Sequence, residues 1–409
     1  MPADRRCFLF LQGPLSPFFF RLGSALRKAG CLVHRVNFCG GDLCYWPFGN
    51  THAWRGHAYE WPQWIASLME AESVTDLVLI GDWRPLHREA CWLACARDAR
   101  VWVYEEGYLR PGFLTLEEGG VNAYSRLPRE PEAVWARSRD IEGQALADPS
   151  QAPNPMLRRV LMTAWNHVGN FFLFPFFHRY RTHRPYCIGR ELTGHIPRYV
   201  RRRTLRAHGI SVCREVFRRR HPFYLMPLQL DADAQVRRHS PFTGTLEYLA
   251  QVVIDFSRNA PRDSWLVVKN HPLDNGLRNY RRYMRSLARA TGCSERLRFV
   301  EGVDAGPLCR RAEALVLCNS TLGLTALRMG KPVYCLGDSV YAMKGLAVTR
   351  RDMPLSQFWT DHPAPDPELL EALIRVMRHD ALVPGNFYSP EGIQEAIAAS
   401  LARMGVEAQ

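Results

Sequence analysis

The chain has 409 residues, 47% hydrophobic and 11% aromatic, with a formal charge of +13. This length exceeds one ordinary core and fits two domains, and the apolar content excludes a disordered chain. The charge is compatible with anionic lipid, a polyanion or nucleic acid and does not choose among them.

In chain order, the apolar run Cys7 to Leu11 predicts a buried strand that ends at Gly13. Phe18 to Ala29 is periodic as a helix and stops at Gly30, a natural residue just past a helix end. Cys31 to Phe38 predicts a second strand, closed by Gly40-Gly41-Asp42. A helix follows over Trp61–Glu70. Strands over Asp76–Gly81 and Arg100–Tyr104 flank a helix over Pro85–Asp98. Such alternation means a parallel sheet of strand–helix–strand units. From about 127 to 220 there is no strand pattern and arginine is abundant. Alternation resumes at Pro222, with strands near 264–268, 296–300, 314–318 and 332–336. Helices over 243–259, 276–291, 305–311 and 321–329 separate them, and amphipathic helices over 366–379 and 391–404 close the chain. The pattern predicts an α/β protein of two Rossmann-like domains whose parallel sheets face each other across a cleft. The expected divisions are 1–126, a helical basic and aromatic insertion over 127–220 completing the first half, and 221–409.

Twelve cysteines lie between Cys7 and Cys335 without a CxxC pair. Cys91 and Cys95 are helical neighbours, but no histidine or second cysteine pair nearby completes a four-ligand set, so core packing is expected and no metal. So many thiols suit a reducing compartment. The apolar run at the N-terminus is too short for a signal-peptide core, and no stretch approaches the ~20 apolar residues of a membrane span. The expectation is a cytoplasmic protein.

The chemistry gathers where strands stop. Leu266-Val-Val-Lys-Asn-His-Pro272 and Leu315-Val-Leu-Cys-Asn-Ser-Thr321 each end a buried run in polar residues. Ligand crevices lie at the carboxyl ends of strands in open α/β sheets, and a helix start there offers N–H groups to an anion. Lys269, His271, Asn319, Ser320 and Thr321 therefore read as a nucleotide-phosphate cradle. Pro272 holds His271 out of the helical region. Lysine is otherwise scarce, at Lys28, Lys331 and Lys344 only. Glu301 ends another strand in the manner of an acid that holds a ribose. Tyr104-Glu-Glu-Gly-Tyr-Leu-Arg-Pro111 places Glu105 and Glu106 at a strand end, as base, nucleophile or electrostatic stabiliser, or as a helix cap or a partner of Arg110. Gln229, Asp231 and Asp233 alternate after the strand at 222, on one face if it stays extended, or in a solvated acidic loop.

With these residues in view, the chain resembles capsule polysaccharide biosynthesis proteins of the KpsS/LipB type, and is similar to the Kdo-transferase modules of KpsC-type proteins. The resemblance is carried by Leu11-Gln-Gly-Pro-Leu-Ser-Pro-Phe-Phe19, Asn37-Phe-Cys-Gly-Gly-Asp42, Glu105-Glu-Gly-Tyr-Leu-Arg-Pro111, Lys269-Asn-His-Pro272 and Asn319-Ser-Thr321. It implies a GT-B glycosyltransferase taking Kdo from CMP-Kdo to a phosphatidylglycerol-type lipid, which starts a β-Kdo linker for capsule export. Retention of configuration, no metal and no cofactor beyond the donor substrate are implied with it. It assigns Glu105 or Glu106 to the acidic motif, Asp233 to a nucleophile position, and Gln229, Lys269, His271, Pro272, Ser320 and Thr321 to the site. Ala232 replaces an acid of the related modules, which leaves Asp231 and Asp233 both open. Other capsule assembly or export proteins are implied partners.

The insertion fits this picture. Phe171-Phe-Leu-Phe-Pro-Phe-Phe177 precedes His178-Arg-Tyr-Arg181, and nine arginines fall between Arg198 and Arg220 against Glu215 alone. Aromatics beside arginines suit the headgroup layer of an anionic inner leaflet, and equally an internal packing face with a basic surface. Three other readings compete: a non-catalytic polysaccharide- or lipid-binding export factor, a CMP-sialic-acid-type transferase and an RNA-binding protein. No recognition motif or zinc signature supports the last.

Overall fold

The computed structural model describes residues 5–182, 188–230, 236–237 and 240–407. The first half contains β1 (Cys7–Phe10), α1 (Phe18–Lys28), β2 (Leu32–Asn37), α2 (Gly40–Tyr45), β3 (Thr51–Ala53), α3 (Trp61–Ala71), β4 (Asp76–Ile80), α4 (Pro85–Cys95), β5 (Arg100–Glu106), β6 (Phe113–Glu118), α5 (Pro131–Asp140) and α6 (Met156–Phe172). The second contains α7 (Ile188–Arg219), β7 (Phe223–Pro227), α8 (Thr245–Asn259), β8 (Trp265–Lys269), α9 (Tyr280–Ala290), β9 (Leu297–Val300), α10 (Gly306–Arg311), β10 (Ala314–Leu317), α11 (Leu322–Arg328), β11 (Val333–Cys335), β12 (Val348–Thr349), α12 (Leu355–Phe358), α13 (Pro367–Asp380), β13 (Leu382–Pro384) and α14 (Pro390–Arg403).

These elements form two compact units, one of residues 1–127, 143–183 and 375–409, the other of 128–142 and 184–374. The first unit holds a sheet ordered β13-β6-β5-β4-β1-β2-β3. Its strands are parallel from β5 to β3, whereas β6 and β13 add antiparallel pairs. Successive strand residues point to opposite faces, so β1 and β4 serve two cores. Phe8, Phe10 and Val78 pack with Phe18, Leu22 and Ile393 on one side. Leu9, Leu77 and Leu79 pack with Trp61, Ile65 and Ala90 on the other. Burial on both faces explains why these strands read as unbroken apolar runs.

The second unit holds a wholly parallel sheet ordered β12-β11-β10-β7-β8-β9. Tyr224, Met226, Val252, Phe256 and Trp359 centre its core. Both sheets confirm the expected two-sheet α/β class.

The first unit's opening segment ends at 127, beside the expected boundary at 126, whereas no division falls at 220. The insertion is helical, as anticipated, but α6 belongs to the first unit and α7 to the second. The C-terminal segment, expected within 221–409, returns to the first unit. There β13 pairs with β6, Leu382 opposite Thr115, and covers an edge that would otherwise expose unpaired backbone groups.

Glycines decide how α6 is seated. A Cβ on Gly40 would lie 2.1 Å from the carbonyl oxygen of Gly169, and one on Gly169 would lie 2.3 Å from Cys44 Sγ. The Gly41 N–H donates to Asn170 Oδ1 at 2.8 Å, and Tyr45 Oη donates to the Met162 carbonyl. Gly40-Gly41-Asp42, expected to close a strand, instead begins α2 and lets α6 approach backbone to backbone.

Candidate functional site

In the first unit β2 lies on one side of β1 and β4 on the other, so the carboxyl ends of β1 and β4 mark the switch point of the sheet. Gln12 follows β1 there. Its amide nitrogen faces the Asp42 carboxylate at 3.3 Å and its oxygen accepts from Arg84 Nη1 at 2.9 Å. Asp42 also accepts from the Phe38 N–H at 2.9 Å and pairs with Arg35 at 3.2 Å, both side chains almost wholly buried. Tyr180 Oη joins Gln12 at 3.2 Å. The Leu11-Gln12 and Asn37-to-Asp42 motifs thus build a buried polar frame, which rigidifies the mouth because the Arg35 and Asp42 charges answer each other.

Beside this frame stand three carboxyl groups. Asp82, after β4, accepts from the Val121 N–H at 2.9 Å through Oδ2. Its buried Oδ1 has no hydrogen-bond partner among the described residues. Burial pushes its pKa up to about 6 against that N–H. Glu105 and Glu106 are the last residues of β5 itself, in register with Thr115 and Leu114 of β6. Burial pushes Glu105 up to about 7, the Glu106 charge adds to it, and the Glu106 N–H, Arg110 and Arg84 oppose it. Glu106 pairs with Arg159 of α6 at 3.3 Å, and the Arg159 guanidinium lies 5.1 Å over the Tyr388 ring. The partner anticipated from sequence, Arg110, instead donates to the Gly107 carbonyl at 2.9 Å. A half-buried carboxyl titrating near 7 is suited to move a proton at neutral pH.

In the second unit the strand order reverses between β7 and β10. Gln229 and Asn319 meet there: the Gln229 amide donates to Asn319 Oδ1 at 3.0 Å and its oxygen accepts the Asn319 N–H at 3.1 Å. Tyr248 Oη accepts the Gln229 N–H at 2.9 Å. This reciprocal lock holds the two strand ends together. Lys269 is buried, with Nζ donating to the Asn270 carbonyl at 3.4 Å. Burial holds its pKa below the usual lysine range, and the charge of Asp304 opposes this. His271 accepts the Leu273 N–H on Nδ1 at 3.0 Å, beside the exposed Pro272. Ser320 Oγ accepts the Leu322 N–H at 3.3 Å, while Thr321 is half-buried and makes no side-chain cap. Asp231 and Asp233 lie outside the described residues.

Glu301, expected at a ribose, sits in an ion cluster. One oxygen faces Arg198 at 3.3 Å and the Asn270 amide at 3.3 Å, and the other meets Arg281 at 3.2 Å. Arg198 belongs to α7, which crosses these strand ends so closely that a Cβ on Gly209 would meet the Glu301 carbonyl at 2.2 Å. Glu301→Gln should therefore cost about 1–3 kcal/mol in a urea melt, because it removes the buried carboxylate that two half-buried arginines share. A ribose-binding acid would instead leave the midpoint unchanged and raise the donor KM.

Sequence reasoning missed Asp82, Arg84, Arg159 and Tyr248. Only Gly81-Asp82 carried a signal, as a strand end of the same kind as the others. Among the described residues one group is spaced as metal ligands are: His34, His52 and Glu72, within 4.8 Å of one another. His34 reaches His52 at 3.2 Å through Nδ1 and Glu72 at 3.4 Å through Nε2.

Known proteins match this chain over most of its length. The capsule polysaccharide export protein KpsS of Escherichia coli is 34% identical over 365 residues, 89% of this chain and 92% of that protein. The capsule polysaccharide modification protein LipB of Neisseria meningitidis serogroup A is 30% identical over 388 residues, 93% of this chain and 91% of that one. A solved structure, the β-Kdo 2,7 transferase of Thermosulfurimonas dismutans KpsC, aligns over 97% of this chain and 99% of its own at 16% identity and a TM-score of 0.45. The model of the family described as capsule polysaccharide biosynthesis protein matches residues 75–388. The chain belongs to that family.

Proposed function

We propose that this protein is a retaining, metal-independent glycosyltransferase that moves Kdo from CMP-Kdo to a phosphatidylglycerol-type lipid at the inner leaflet, beginning the linker on which a capsule is exported. The observation that carries the reading is Glu105, a carboxyl titrating near 7 at a strand mouth beside the Glu106–Arg159 pair. Glu105 is the proton-handling group toward the acceptor hydroxyl. Lys269 and His271 supply donors toward the CMP phosphate, and Ser320 and Thr321 line the same end of the second sheet. Retention through a covalent intermediate needs a carboxylate nucleophile, the role given to Asp233. The name of the Escherichia coli relative speaks of export. A non-catalytic export factor, however, offers no reason for Lys269, His271 and the Asn319-Ser320-Thr321 turn to gather at strand ends.

The test is transfer from CMP-Kdo generated in situ to a fluorescent phosphatidylglycerol analogue, with CMP binding measured in parallel. Product from the wild type, lost in Asp233→Asn and His271→Ala, supports the assignment. Absence of both transfer and CMP binding would overturn it and leave the export factor standing. Product from CMP-sialic acid in place of CMP-Kdo would move the donor assignment to the sialyltransferase reading.

A further inference from the structure

We propose that the outward face of α6 and the turn after it form a docking surface for an anionic phospholipid bilayer. This deepens the functional reading by naming where the lipid acceptor is met, and rests on that reading only for the acceptor's identity.

The helix has two unlike faces. Asn166 and Gly169 are buried against α2, and Arg159 reaches the Glu106 carboxylate at 3.3 Å. On the opposite side Leu157, Leu161, Trp165, Val168 and Phe172 follow helical spacing, and all are exposed. Leu157 is 69%, Phe171 77% and Phe172 71% accessible, which singly would be ordinary but together make a continuous apolar stripe. The stripe continues into the short 3-10 turn Phe174–Phe176, where Arg55 lies 5.7 Å over the Phe176 ring. A soluble helix does not leave its best apolar face in water without an occupant.

Charge selects the occupant. No aspartate or glutamate occurs between Asp148 and Glu191, whereas Arg158, Arg179 and Arg181 beside the stripe are exposed. A protein partner is usually met with charges of both signs. A stretch wholly free of acid, with aromatics at one end and arginines at both, matches the acyl boundary and anionic headgroups of a bilayer. The arginines of α7 are less suited: Arg198 is committed to Asp274 and Glu301, and Arg202 lies 4.4 Å over the Tyr199 ring. No helix among the described residues is long and apolar enough to cross a membrane. The contact is therefore a helix lying in the surface. Because α6 also carries Arg159, the same helix that meets lipid touches the Glu105–Glu106 pair.

The test is flotation of the full chain with vesicles of phosphatidylcholine alone or mixed with phosphatidylglycerol. Wild type should float with the mixed vesicles, less so as salt rises. Leu161→Asp/Trp165→Asp/Phe172→Asp should weaken binding by more than about tenfold with an unchanged melting temperature, since all three are exposed. Arg158→Glu/Arg179→Glu/Arg181→Glu should remove the preference for phosphatidylglycerol. Flotation of the apolar triple variant at the wild-type level would overturn the proposal. So would a wild type that ignores both vesicles but sediments as a dimer broken by the same triple variant, which assigns the face to a second copy. Transfer to a water-soluble acceptor separates the two readings: a protein that floats but transfers nothing keeps the docking surface and loses the transferase.

Discussion

Glu105→Gln is expected to lower transfer by about 10²- to 10⁴-fold and, at the same time, to make the protein more stable above neutral pH. The ordinary value for a glutamate is 4.5 and the folded protein raises Glu105 to about 7. Between those values the unfolded chain has already released a proton that the folded chain retains. Stability therefore falls as pH rises through that window, and the loss is complete above it. Glutamine cannot ionise, so the variant escapes this loss and should gain roughly 2 kcal/mol over wild type at pH 8, and little at pH 4, after allowing for partial exposure. Urea melts at the two pH values read the stability, and the lipid-transfer assay reads the activity. Equal stability at both pH values with unchanged activity would remove Glu105 from the site. Glu106→Gln should behave differently. It leaves Arg159 without its partner and takes a negative neighbour from Glu105, so whichever limb of the pH–rate profile reports Glu105 should move to lower pH.

Why these carboxyl groups were legible, and their setting was not, follows from the range of the interactions involved. β1, β4, β5, β7, β8 and β10 announce themselves because a strand covered on both faces has no polar alternation. Their ends fall where apolar runs stop, so the strand-end positions of Glu105, Glu106, Lys269, His271 and Asn319 are legible from local pattern. β6 was missed because Phe113-Leu-Thr-Leu-Glu-Glu118 follows Pro111-Gly112 and owes its strand state to pairing with β5 and β13. β13 is three residues long, and its partner lies at the other end of the chain. At α2 the local pattern shows only the close of a strand, since two glycines lower helix propensity, yet the same glycines are what its packing requires. The site shows the same limit. The Arg159 that pairs with Glu106, the Gln229–Asn319 lock and the arginines around Glu301 all join segments far apart in sequence. For Glu301 the strand-end position is visible in the sequence and its two arginine partners are not.

The glycine seat of α6 carries the largest structural effect expected of a single methyl group. Gly40→Ala should destabilise the protein by roughly 3 kcal/mol, because the new Cβ would stand 2.1 Å from the Gly169 carbonyl oxygen and 2.7 Å from Leu173 Cβ. Neither obstacle is the far end of a flexible side chain, so relief requires α6 to shift as a body on α2. At Gly41 the nearest obstacle is the Asn166 amide at 1.9 Å, a side chain that can turn away. Gly41→Ala should accordingly cost less, even though the Asn166 backbone oxygen at 2.9 Å also crowds that position. The shift has a chemical consequence, since α6 carries Arg159 to Glu106. Gly40→Ala should reduce transfer by more than its unfolded fraction explains, and an alanine-to-serine change at the exposed Ala164 should do neither. Urea midpoints of the three variants, with transfer measured well below those midpoints, provide the check. A Gly40→Ala protein within about 0.5 kcal/mol of wild type would mean that α6 does not sit on α2 at this distance. In that case the coupling from the lipid-facing helix to the carboxyl pair would be lost with it.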